Sequence, residues 1–139
     1  MDLFSGTGSL GIESLSRGCK IVYFVDKNLK SIKLIRQNLQ NLNNIENRYK
    51  VIRSDVIKFI KKFRSIKWDI IFIDPPYKIE SELVKEIFYI LSKRNIIDEK
   101  TIIMYEFFFK RDIKEETKDF KILKKSFFGD KIVLYLSPL

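Results

Sequence analysis

The chain of 139 residues has no histidine, one cysteine and three prolines. The missing histidine removes every His-dependent triad, His metal site and His acid–base pair. A lone thiol, Cys19, allows no internal disulfide and no cysteine cluster for zinc or iron–sulfur. A reducing, intracellular setting is the default for such a chain. No apolar run approaches the ~20 residues of a membrane span. The opening Met-Asp-Leu-Phe-Ser-Gly lacks the basic region and apolar core of a signal peptide. These absences predict a cytoplasmic protein with no membrane and no metal partner. Glycine is scarce too, and four of its five copies lie in the first 18 residues. No linker, repeat or low-complexity tract appears, so residues 1–139 are expected to form one domain.

What is abundant is positive charge. The net charge is +9, carried by 20 Lys and 7 Arg against 18 acidic residues. A basic surface is the footprint of a polyanionic partner, usually nucleic acid. The chain is also crowded with Ile, Phe and Asn. An AT-rich coding sequence would give the same bias, with lysines merely solvating the surface. Charge alone leaves both readings open.

Short apolar runs alternate with helical stretches along the chain. Met1–Phe4 reads as a strand end. Ser9–Arg17 reads as a helix, with Leu10, Glu13, Ser14 and Arg17 at helical spacing and Gly18 as its stop. Ile21–Val25 is a strand ending at Asp26. Asn28–Leu42 carries Leu29, Ile32, Ile35, Leu39 and Leu42 along one helix face. Tyr49–Arg53 is a strand, Val56–Phe63 a short helix with Lys58, Lys61 and Lys62 outside. Trp68–Ile73 is a strand stopping at Asp74-Pro75-Pro76-Tyr77. Glu80–Lys93 is helical and Thr101–Phe107 is a strand. Phe120–Phe127 and Lys131–Leu136 form a hairpin through Gly129-Asp130. This alternation predicts an α/β fold, a Rossmann-like, mostly parallel sheet with a C-terminal antiparallel hairpin. Ligands of such sheets bind beyond the carboxyl ends of the strands. Four of those ends carry or adjoin an aspartate: Asp2, Asp26, Asp55 and Asp74.

Gly6-Thr7-Gly8-Ser9-Leu10-Gly11 is a G-x-G-x-x-G turn opening a helix, and Asp26 follows twenty residues after Gly6. The pattern fits a nucleotide-binding turn with Asp26 accepting from ribose hydroxyls. It also fits a tight strand-to-helix turn with no ligand. Charge separates two cofactors. A dinucleotide places an anionic pyrophosphate at the helix N-terminus, where Asp2 would repel it. S-adenosylmethionine carries a sulfonium and an ammonium instead, and an acidic rim of Asp2, Asp26, Asp55 and Asp74 suits those. Asp55 can reach an adenine amino group or simply cap its helix, and the two roles are compatible.

Asp74-Pro75-Pro76-Tyr77 follows an apolar strand. Two prolines fix φ and donate no backbone hydrogen, so they build a rigid turn whose carbonyls face outward. The Asp74 carboxylate and the Pro75 carbonyl can accept the two hydrogens of a planar amine. Held so, an exocyclic amine pyramidalises and aims its lone pair at an electrophilic methyl group. Tyr77 offers a face on which a base stacks, worth about 1–3 kcal/mol.

Asp2 through Gly18, then Asp26, Asp55 and Asp74-Pro-Pro-Tyr77, resemble the RsmD family of small-subunit rRNA (guanine-N2)-methyltransferases. The likeness runs from Met1 to about Tyr135. It implies a class I S-adenosylmethionine-dependent methyltransferase fold. It also implies S-adenosylmethionine as cofactor and a guanine amine of 16S rRNA, in an assembling small ribosomal subunit, as target. Carried over by position, Gly6 and Gly8 line the methionine part, Asp26 the ribose, and Asp55 with Val56 the adenine. Asp2 and Phe4 complete the cofactor set, and Asp74 to Tyr77 hold the base. A monomer is expected. Family members carry a further segment ahead of the glycine loop, with a basic β-hairpin region and a Thr-Asp-Arg-Val-Arg-Glu-like motif. This chain begins inside the first strand, which marks either a fragment or a start assigned too late, and predicts weakened stability and activity. Two other functions fit the residues: an adenine-N6 DNA methyltransferase, and a non-catalytic RNA-binding relative.

Overall fold

In a computed structural model, residues 1–64 and 66–139 are described, in two compact units, Met1–Phe59 and Ile60–Leu139. The first holds β1 (Asp2–Leu3), α1 (Ser9–Ser16), β2 (Val22–Asp26), α2 (Leu29–Leu39) and β3 (Tyr49–Arg53). Its strands lie in the order β3-β2-β1, all parallel. Helix α3 (Val56–Lys62) carries the chain into the second unit, which holds β4 (Ile70–Ile73), α4 (Ser81–Lys93), β5 (Ile102–Phe108), β6 (Phe120–Phe128) and β7 (Lys131–Pro138). There the order is β4-β5-β7-β6. β4 and β5 are parallel, whereas β7 runs antiparallel to both β5 and β6. The mostly parallel sheet with a terminal antiparallel hairpin is thus present.

In the first unit Leu15, Val22, Phe24, Ile35, Leu39 and Ile45 form the core, with Ile12, Leu42 and Val51 packed on it. Burying each large side chain contributes about 1.5–3 kcal/mol. Helix α1 turns Gly11 and Leu15 inward. Its Leu10, Glu13 and Arg17 face water instead, the last two as an ion pair at 2.6 Å. The contact is close because Gly11 has no side chain: a Cβ there would lie 2.3 Å from Phe24 Cε1. In the second unit β5 and β7 alternate buried and exposed positions, burying Ile103, Tyr105, Phe107, Ile132, Leu134 and Leu136. The Phe88 ring of α4 lies 5.2 Å from Tyr105 and 5.3 Å from Phe120, edge-on to both.

Most element ends differ from the sequence expectation by a residue or two, and three of these differences have a visible cause. β1 is only two residues, because Phe4 adopts φ +60°, a left-handed conformation that leaves the strand. α2 stops at Leu39 rather than Leu42, since Gln40, Asn41 and Leu42 donate to the carbonyls three residues back and tighten into a turn. β4 starts at Ile70 rather than Trp68, whose amide is drawn away to the Ile96 carbonyl at 3.0 Å.

Candidate functional site

The glycine turn of the first unit is held from several sides. Ser5 Oγ donates to the Asp2 carbonyl at 2.6 Å and accepts from the Val25 amide at 2.9 Å. The Gly8 amide donates to the Ser5 carbonyl at 2.7 Å, and Asn38 Nδ2 donates to the Thr7 carbonyl at 3.0 Å. Gly8, at φ +81°, has Ile35, Phe24 and Ile12 within 3.4 Å of where a Cβ would stand. The turn therefore needs glycine for both conformation and space.

Asp26 anchors this turn. Its Oδ2 accepts from the Gly6 amide at 2.9 Å and its Oδ1 from the Asn28 amide at 2.8 Å. A carboxylate offers about four lone-pair directions, so each oxygen keeps acceptor capacity for a hydroxyl. Asp2 is placed differently from a rim residue: it is 2% exposed, and its Oδ2 accepts from the Gly11 amide at 3.1 Å. It fixes the start of α1 from inside. Asp55 Oδ1 accepts from the Lys58 amide at 3.0 Å, the N-cap geometry, and Val56 is buried behind it. The partly buried Phe4 supplies the left-handed residue that turns the chain from β1 into the loop.

The second unit holds a cleft of about 270 Å³ lined by Asp74, Pro75, Pro76 and Tyr77, with Glu106 and Arg111 among the facing residues. The Pro76 carbonyl turns back to accept from the Ile79 amide at 2.9 Å. Neither the Pro75 carbonyl nor the Asp74 carboxylate accepts a hydrogen bond among the described residues, so both are open acceptors. The Asp74 carboxyl sits above its ordinary pKa of 3.8: loss of water is the larger cause, the Glu106 charge adds to it, and Lys131 pulls the other way. Tyr77 is 70% exposed, its ring free to receive a stacked group on the side away from Lys131.

Two residues that line this cleft, Glu106 and Arg111, and one beside it, Lys131, carry no signature in the local sequence. Glu106 lies on β5, opposite Val133 of β7, and Lys131 follows on the same face two positions away. Lys131 Nζ donates to Glu106 Oε1 and stands 5.3 Å from the Tyr77 ring centroid. Both contacts hold the ammonium protonated, well above the ordinary lysine range. Arg111 is the third, fixed by the fully buried Glu116 side chain. Glu116 Oε1 accepts from Arg111 Nε at 3.0 Å, Arg111 Nη2 at 2.8 Å and Ser81 Oγ at 2.9 Å. Its Oε2 accepts from the Tyr105 hydroxyl at 2.9 Å, and burial with this neighbouring anion pushes the Tyr105 phenol upward. Satisfied on both oxygens, the buried charge braces the cleft wall. Among the described residues no helix is long and apolar enough to cross a membrane, and no three metal-ligating side chains converge.

A glycine turn anchored by a strand-end aspartate, and a strand delivering Asp-Pro-Pro-Tyr, belong to the class I fold of S-adenosylmethionine-dependent methyltransferases. The crystal structure of "putative methylase HI0767 from Haemophilus influenzae" superposes with a TM-score of 0.82 at 27% identity, over 99% of this chain and 84% of that one. Residues 1–137 match the family described as conserved hypothetical protein 95. The chain belongs to this family, the RsmD family of methyltransferases. It is 30% identical over 131 residues to "Putative rRNA methyltransferase YlbH" of Bacillus subtilis, covering 93% of this chain and 70% of the relative. It is 34% identical over 106 residues to "Ribosomal RNA small subunit methyltransferase D" of Buchnera aphidicola, covering 76% of this chain and 53% of the relative. It thus spans about half the length of the latter.

Proposed function

We propose that this chain methylates the N2 amine of a guanine in small-subunit rRNA, using S-adenosylmethionine. Family membership supports the rRNA substrate. The observation that carries the chemistry is the Asp74 carboxylate: it opens into a cleft, accepts no hydrogen bond among the described residues, and stands beside the open Pro75 carbonyl. Those two acceptors take the two amine hydrogens and orient the nitrogen lone pair. Tyr77 stacks the base and offsets part of the few kcal/mol needed to take it out of its helix.

The glycine turn fits S-adenosylmethionine on two grounds. At Gly6 a Cβ would meet nothing nearer than the Phe4 carbonyl oxygen at 3.9 Å, so a ligand can approach bare backbone there, and the anchoring carboxylate, Asp26, suits ribose hydroxyls and repels phosphate. Gly6, Gly8 and Phe4 would border the methionine part, Asp26 the ribose, and Asp55 with Val56 the adenine. Asp2 acts through the turn it fixes. S-adenosylmethionine supplies an electrophilic methyl group when bound. The amine becomes acidic once methylated and releases its proton late, to Asp74 or to water.

The test is incubation of the chain with small-subunit rRNA and labelled S-adenosylmethionine, followed by nucleoside analysis. N2-methylguanosine is expected. In Asp74→Ala kcat should fall by at least about a hundredfold, while affinity for S-adenosylhomocysteine changes little. A methyl group on adenine N6, or equal loss of turnover and cofactor binding, contradicts the reading.

A further inference from the structure

The cleft holds a second carboxylate that the amine chemistry does not need. We propose that Glu106 selects guanine by accepting the N1–H of the target base, while Asp74 and the Pro75 carbonyl hold its N2 amine. This rests on the guanine-N2 reading above.

Glu106 and Asp74 line the same cleft. Glu106 Oε1 accepts from Lys131, whereas Oε2 has no hydrogen-bond partner among the described residues. The carboxylate is therefore held in place by one oxygen, with the other unused among the described residues. Lys131 is itself held over the Tyr77 ring, so the cation, the anion and the stacking face form one unit. An ion pair that served only to join β5 to β7 would not need to face Asp74. Placed here, Glu106 makes Asp74 harder to ionise, and Lys131 offsets only part of that. The arrangement has a cost that a ligand with two adjacent donors would repay.

Base chemistry identifies that ligand. Three bases carry an exocyclic amine. In adenine and cytosine the ring nitrogen beside the amine is a bare acceptor, and a carboxylate facing it meets a lone pair. In guanine the neighbouring ring nitrogen carries a hydrogen. Only guanine presents N–H beside NH₂, the edge that two adjacent anionic acceptors complement.

The experiment replaces the guanine at the methylated position of the rRNA by 2-aminopurine, which keeps the amine but has an acceptor at N1 and no O6. The wild-type chain should prefer guanine in kcat/KM on the order of 10- to 100-fold. In Glu106→Gln the amide can donate to N1 of 2-aminopurine, so the preference should shrink to within about threefold. A structural role alone would slow both substrates and leave their ratio intact. Affinity for S-adenosylhomocysteine, measured in parallel, should stay within about twofold and so report a folded variant. An unchanged ratio, or a wild-type chain indifferent to the replacement, overturns the role of Glu106 and leaves N2 methylation standing. A methyl group found on no guanine overturns the underlying reading, and this inference with it.

Discussion

The Gly6 amide and the Asp26 carboxylate, twenty residues apart, meet at 2.9 Å across the ends of β1 and β2. One side chain thus shapes the turn and presents acceptors to whatever the turn holds. Asp26→Ala should lose both effects. Removing a hydrogen bond to a charged group costs about 1.5–3 kcal/mol, so affinity for S-adenosylhomocysteine should fall by at least tenfold, as calorimetry would report. Asp26→Asn keeps an oxygen for the Gly6 amide but loses the charge. Its Nδ2 cannot accept from the Asn28 amide, so it should sit between the wild type and the alanine variant in both affinity and melting temperature.

What the sequence made legible here was local. Apolar runs that stop at Asp26 and Asp74 reveal strand ends because burial and polarity change within one or two residues. The Asp-Pro-Pro-Tyr turn is legible because proline restricts the backbone wherever it stands. Asp2 reads as a rim residue in the sequence but lies 2% exposed, because its carboxylate accepts from the Gly11 amide nine residues on, a partner that the spacing alone does not reveal. Glu106 and Lys131 were missed because their adjacency is a matter of β5–β7 register. A trace existed in that Glu106 is the one charged residue in the otherwise apolar Ile102–Phe108. Among 18 acidic residues such a trace does not stand out.

Gly11 is the position where packing leaves least room. A Cβ would meet Phe24 Cε1 at 2.3 Å, Phe24 Cζ at 2.8 Å and Val22 Cγ1 at 2.9 Å. The ring and the strand behind it are buried in the core. Gly11→Ala should therefore destabilise the fold by about 1–3 kcal/mol through overpacking, despite alanine's better helix propensity. Urea unfolding should show a lower midpoint with an unchanged slope. Ser9→Ala, at an exposed position of the same helix, is the control and should lie within about 0.5 kcal/mol of wild type.

The basic surface predicts RNA contact through exposed lysines such as Lys58, Lys61, Lys62, Lys124 and Lys125, and these are not equivalent. Lys61 is already engaged with Glu86 at 2.6 Å. Lys124 and Lys125 lie over the rings of Tyr135 and Phe127, on a strand whose Ile122, Leu123, Phe127 and Phe128 are exposed. Cations interleaved with exposed aromatics suit a nucleic acid strand. Affinity for rRNA should fall steeply with salt, by counterion release. Changing Lys124 and Lys125 to alanine should flatten the log–log salt slope by about 0.7 to 1 per residue. Lys61→Ala should flatten it less. Equal slopes in all variants would return the lysine excess to compositional bias.

The carboxyl of Asp74 gives the reaction its pH dependence. In the proposed mechanism the ionised form is the anionic acceptor for its amine hydrogen and the one that can take the released proton, so activity should belong to the pH range above the folded-state pKa and be lost as pH falls through it. That pKa lies above the ordinary 3.8, raised first by desolvation and then by Glu106, with Lys131 opposing. The acid limb of kcat should accordingly appear above the pH at which a free aspartate titrates. Glu106→Gln removes a charge that raises it, and the limb should move to lower pH. Lys131→Met removes a charge that lowers it, and the limb should move to higher pH. Stability follows the opposite sign from activity. The native state binds this proton more tightly than the unfolded chain, so ionised Asp74 costs the fold free energy at neutral pH, and the cost vanishes below the unfolded value. Asp74→Asn should therefore melt higher than the wild type near pH 7, by a margin that shrinks as pH falls, while its turnover collapses. Stability profiles of the two proteins that run parallel from about pH 4 to about pH 8 would show that Asp74 titrates like an unperturbed side chain.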